Sequence, residues 1–194
     1  GHDSRNIDEA FNSFLYICIN PLLTSLHLNK DRFFFTIGNH DLHLTKDDEI
    51  YDNGLASTFF NEKAIKKFVD ERQDNLNYLS RQSSFISFRN KFYKGFTKDQ
   101  CQLTPFQSNF KIEVKGIKIG ITSLNTSWRC CFNDKGRLVT GLWQIVDSES
   151  FLEGCDLKVA VGHHHPESMK DYEISEFLNL CILYPSDAAD EEDR

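Results

Sequence analysis

Methionine occurs once and proline four times in the 194 residues, against 17 phenylalanines. Aromatic rings are therefore expected to carry much of the core. The six cysteines, Cys18, Cys101, Cys130, Cys131, Cys155 and Cys181, contain no C-x-x-C pair, which argues against a zinc ribbon. Adjacent Cys130 and Cys131 are poor disulfide partners, so the expectation is reduced, partly buried thiols in a cytoplasmic protein. No apolar run approaches the roughly 20 residues that span a bilayer, and no basic, apolar leader opens the chain, so neither membrane span nor signal peptide is expected. Positive charge is in deficit: 22 Lys and Arg face 29 Asp and Glu, a formal net charge of -7. That excludes a basic coat for nucleic acid over the whole surface and leaves a local basic patch open. What remains is a composition of 40% hydrophobic and 26% charged residues, enough for one packed domain over 1–194.

Periodicity gives a coarse order of elements. Asp8 to Leu28 reads as an amphipathic helix with Phe11, Phe14, Leu15, Cys18, Leu22 and Leu26 on one face and Pro21 as an interruption. A turn at Asn29-Lys30-Asp31 leads into Phe33–Ile37, an apolar run that suits a strand buried on both faces. Residues 45–108 read as a largely helical insertion, including a helix over Glu62–Leu79. Within it, Phe85 to Phe96 is both aromatic and basic, and a core-facing stripe with solvated lysines is preferred over a binding surface. Phe110 to Leu124 alternates around Lys115-Gly116, a hairpin signal. Trp143–Phe151 suits a helix, and Leu157–Val161 a further apolar strand.

Three apolar segments run directly into residues of ligand or catalytic type. Phe33–Ile37 leads to Gly38-Asn39-His40-Asp41, Ile117–Leu124 to Asn125 and Ser127, and Leu157–Val161 to His163-His164-His165. In open α/β sheets the crevice beyond strand carboxyl ends is where ligands bind. Gly38 admits an unusual turn, Asn39 offers a neutral oxygen, His40 can move a proton near neutral pH and Asp41 can fix its tautomer. The same residues also suit a plain turn, with His40 as a cap. Alternation along an extended His163–His165 would send His164 one way and its two neighbours the other.

With these motifs in this order, the chain resembles the calcineurin-like metallophosphoesterases. Gly38-Asn39-His40-Asp41, Asn125-Thr126-Ser127-Trp128 and His164-His165-Pro166 carry the likeness, supported by the Lys30-Asp31-Arg32 turn and the Gly116 hairpin. It covers Ile7 to Asp171, with 45–108 poorly matched. The resemblance implies an α/β fold, a four-layer α/β/β/α sandwich expected to be incomplete at both ends. It implies two divalent metal ions (Mn, Fe or Zn) and hydrolysis of a phosphoester by a metal-activated water. Asn39 and His164 would bind the second metal, His40 would protonate the leaving oxygen and Asp41 would orient His40. Asp3 lies about where the family's bridging carboxylate segment ends and is carried as a metal candidate. Asn125 and Trp128 would shape the pocket floor. The family's Asp-x-His on an opening strand has no match ahead of the first helix, and its closing Gly-His-x-His has none after His164-His165-Pro166, since Glu167 to Arg194 contains no His. The rival expectation is a non-catalytic binding or regulatory module on the same fold. A third is a nuclease holding a strand on Phe85–Phe96.

Overall fold

The computed structural model describes residues 7–132 and 136–182. They form a mixed α/β structure around one sheet of four strands, β1 (Cys101–Leu103), β2 (Ser108–Val114), β3 (Ile117–Ser123) and β4 (Leu157–Val161), in that spatial order. The first two pairings are antiparallel, and β3 and β4 run parallel with Ile119 opposite Leu157 and Ser123 opposite Val161. The expected hairpin is present, closing at Lys115-Gly116 with φ of 52° and 86°. Positive φ at both central residues matches the turn twist to the strands, which is why glycine suits the second position. Because β1 pairs with β2, the end of the 45–108 region belongs to the sheet and is not helical.

The opening helix is interrupted as its proline predicts. Helix α1 (Ile7–Phe14) passes through a π turn (Leu15–Ile19) into α2 (Asn20–Ser25), where Pro21 sits in the first turn. Asn20 N–H bonds to Leu15 O, five residues back. The wider turn rotates the apolar stripe. Phe11, Leu15 and Cys18 face inward as expected, but the stripe continues through Ile19 and Leu23, while Phe14, Leu22 and Leu26 are left exposed.

Phe33–Ile37 corrects the sequence reading: the segment is extended but joins no ladder among the described residues. Its backbone is held by side chains instead. The Tyr93 hydroxyl accepts from Phe35 N–H and donates to Phe33 O, and Ser127 Oγ donates to Ile37 O. Its rings pack on helix α5 (Ser83–Phe92), with Phe35 lying 5.1 Å from Phe88 and 4.8 Å from Phe92. Here Phe85, Phe88, Phe92 and Tyr93 are buried, so the aromatic stretch is core, as preferred. Each such ring contributes roughly 1.5–3 kcal/mol when fully withdrawn from water.

Helix α3 (Lys46–Ala56) starts at a reciprocal cap, with Asp48 N–H donating to Thr45 Oγ1 while the Asp48 carboxylate accepts from Thr45 N–H. Helix α4 (Glu62–Asp70) starts at Asn61, whose side chain accepts from Ala64 N–H, and buries Ile65, Phe68 and Val69. The helix expected over Glu62–Leu79 ends at Asp70, and a 3-10 turn (Leu76–Gln82) follows. Helix α6 (Trp143–Phe151) lies in the crossover from β3 to β4, and α7 (Asp171–Ile182) closes the described chain. Among the described residues no helix is long and apolar enough to cross a membrane.

Candidate functional site

The turn Asn39–Asp41 and the loop after β4 meet, although they are far apart in sequence. Asn39 Oδ1 lies 3.1 Å from His163 Nε2, across 124 positions. The contact depends on Gly38: a Cβ there would stand 3.1–3.3 Å from the His163 ring atoms. Asp41 shapes the turn from below, its carboxylate accepting from Gly38 N–H at 2.8 Å while its own N–H donates to Gly38 O. Burial raises the Asp41 carboxyl above its ordinary value, opposed by the Gly38 N–H and by the charges of His163 and His40. His40 is exposed, and with Asp41 it borders a cleft of about 510 Å³ walled by Phe11, Phe34, Phe35 and Phe85.

The three histidines have separate surroundings. His163 is exposed and reaches Asn39. His164 is half-buried, with Nδ1 3.0 Å from Thr126 Oγ1 and Nε2 3.4 Å from Cys130 Sγ. Both of its ring nitrogens are therefore engaged by protein, so a metal would have to displace one partner. The two rings stand 4.7 Å apart and nearly perpendicular. His165 caps the next turn, its Nδ1 accepting from Glu167 N–H. The alternation expected along this segment is present, but it is His163, on the side away from His164, that faces Asn39.

Asn125 and Trp128 do not floor a pocket. Asn125 is buried, donating to Gln82 Oε1 at 2.6 Å and accepting from Ser127 N–H, while its own N–H donates to Gln144 Oε1. Trp128 is wholly buried among Phe59, Tyr78, Phe106 and Trp143 and donates its indole N–H to Thr140 O. These residues lock the loop after β3. Arg81 joins that loop to the segment just after the Asn39–Asp41 turn: its guanidinium donates to Trp128 O and Cys130 O, and its carbonyl accepts from His43 N–H.

Among the described residues no group of three or more His, Cys, Asp or Glu is arranged to hold a metal ion. Asp3 lies outside the described residues. The donors that do converge are a carboxamide oxygen and an imidazole nitrogen, a pair able to share one divalent cation but not to complete two. Sequence reasoning singled out the His163–His165 run but bet on His164 as the ligand, and it gave Thr126 and Cys130 no role in this neighbourhood. The available signal was glycine, since Gly162 precedes His163 as Gly38 precedes Asn39, and a Cβ on Gly162 would press Thr126 Cγ2 at 2.9 Å.

No family model matches the chain, and no curated protein and no solved structure matches it either.

Proposed function

We propose that this chain is a metal-dependent phosphoester hydrolase of the calcineurin-like kind, acting on a phosphodiester or phosphomonoester. The observation that carries the reading is the meeting of Asn39 with His163, each presented by a glycine-preceded turn after an apolar segment. Asn39 Oδ1 and His163 Nε2 would hold a manganese, iron or zinc ion, exchanging their mutual hydrogen bond for it. Such an ion supplies Lewis acidity and a more acidic bound water. His40, exposed beside the cleft, gives the departing oxygen its proton, and Asp41 fixes the turn that presents it. For the second ion of the expected pair, no group of three or more His, Cys, Asp or Glu is arranged among the described residues.

The same reading takes the sheet as one of two in a four-layer sandwich. What supports it is the outward apolar row of β4, where Leu157, Val159 and Val161 are 51%, 37% and 38% exposed. Parallel strands are normally covered on both faces. The nuclease alternative loses its stacking platform, because Phe85, Phe88 and Phe92 are buried. The non-catalytic module remains the second reading, favoured because the described residues hold no group of three or more His, Cys, Asp or Glu arranged for a metal.

The test is hydrolysis of bis(4-nitrophenyl) phosphate and 4-nitrophenyl phosphate with added manganese, alongside metal analysis. Manganese-dependent turnover is expected, reduced at least about a hundredfold in His40→Ala with metal binding retained. Metal binding without turnover selects the module. Neither binding nor turnover rejects both readings of the site.

A further inference from the structure

A second cleft, of about 330 Å³, lies between α3 and the Leu76–Gln82 turn. Asp48 and Tyr51 line it from the helix, Tyr78 and Arg81 from the turn, and Arg72 from the chain before it. Its volume falls within the range of small-molecule sites. None of these side chains takes part in the Asn39–His163 site.

Charge is unbalanced behind its Arg81 wall. Arg81 and Arg129, each 6% exposed, share Asp52 as their carboxylate partner. Among the described residues one carboxylate serves two guanidinium groups, and the buried positive charge left over is costly without a further anion. The Nη groups of Arg81 are engaged by Asp52, Trp128 O and Cys130 O, but its Nε has no acceptor among the described residues. The Tyr78 hydroxyl is likewise buried without a partner among them. Arg72 brings a second cation, stacked 4.0 Å over Phe68 and 3.6 Å from Glu71. Asp48 is the acid among the lining residues, and its Oδ2 is engaged by Thr45 N–H and Thr45 Oγ1.

We propose that this cleft binds a small molecule bearing an oxyanion. The oxyanion balances the surplus charge of the Asp52–Arg81–Arg129 cluster and gives Arg81 Nε and the Tyr78 hydroxyl their acceptors, with Arg72 as the outer cation. Tyr51, which is 46% exposed, covers the apolar part of the ligand. The site stands apart from the hydrolase reading and does not depend on it.

Phenylphosphonate tests it, being an oxyanion on a ring with no ester to cleave. The Arg81 Nε–Hε NMR signal is followed through a titration of the full chain. The expected result is a saturable shift, weakened about tenfold by Arg72→Gln and severalfold by Tyr78→Phe, and unchanged in affinity by Asn39→Ala. A static Arg81 signal overturns the proposal. So does affinity that ignores Arg72→Gln and Tyr78→Phe, or affinity abolished by Asn39→Ala, which would seat the probe in the other cleft. Both substitutions avoid the buried cluster, so folding does not confound the reading.

Discussion

Asn125 and Asn39 stand in sequence at comparable places, each where an apolar segment gives way to polar residues, yet the fold uses them oppositely. Asn125 is sealed in the interior, bonded to Gln82, Ser127 and Gln144, and it locks a loop. Asn39 is half-buried, and among the described residues its side chain has one hydrogen bond, to an exposed histidine. The histidines divide the same way: His164 is bracketed by Thr126 and Cys130, while His163 has one ring nitrogen on Asn39. Residue type in a motif therefore does not say whether a group is scaffold or reagent. The number of partners around it and its exposure do.

The contrast predicts a graded response to substitution. The largest loss belongs to the buried carboxylate shared by two cations. Asp52→Ala would leave Arg81 and Arg129 buried without their shared carboxylate, and should cost about 3–5 kcal/mol in urea unfolding. Asn125→Ala should cost about 1–3 kcal/mol by the same measurement, because Gln82 and Ser127 N–H lose buried partners. Asn39→Ala should change stability by no more than about 0.5 kcal/mol, while weakening manganese binding. Equal destabilisation by the two asparagine variants would erase the distinction drawn between them.

A pH profile sharpens the comparison from the interior side. Glu173 is buried and accepts from Thr140 N–H and Gly141 N–H, and burial outweighs those bonds to push its carboxyl up from 4.5 to about 7. An acid whose folded pKa exceeds its unfolded one keeps its proton longer in the folded state. Stability from this group is full below about 4.5 and falls as pH climbs to about 7. Glu173→Gln should flatten that slope in unfolding measured across the interval, and an unaltered slope would assign it to other groups. The smallest effect is expected at the surface: His165→Ala removes only a turn cap and should shift stability by less than about 0.5 kcal/mol.

Much of the local structure was legible because it follows from local chemistry. Lys115-Gly116 announces its hairpin, Pro21 its break, and the Phe85–Phe92 spacing its buried face. Phe33–Ile37 was misread because apolar content reports burial and not pairing. Here burial comes from α5, and hydrogen bonding from the hydroxyls of Tyr93 and Ser127. The shift of the α1–α2 stripe toward Leu23 was invisible for a similar reason, since a single π turn rephases every position after it. At the site, the convergence of the Gly38 and Gly162 turns was legible. Which histidine faces Asn39 was not, because that depends on Thr126 and Cys130 claiming His164.

The central claim is that Asn39 and His163 form the cation-holding end of a hydrolytic site. Manganese broadens the NMR signals of groups close to it, so a substoichiometric manganese titration reads the location directly. The account predicts that the His163 ring and Asn39 side-chain amide signals broaden first, and that Asn39→Ala spares His163. Sharp His163 signals while the acidic first turn of α3, Asp47 to Glu49, broadens instead would contradict it.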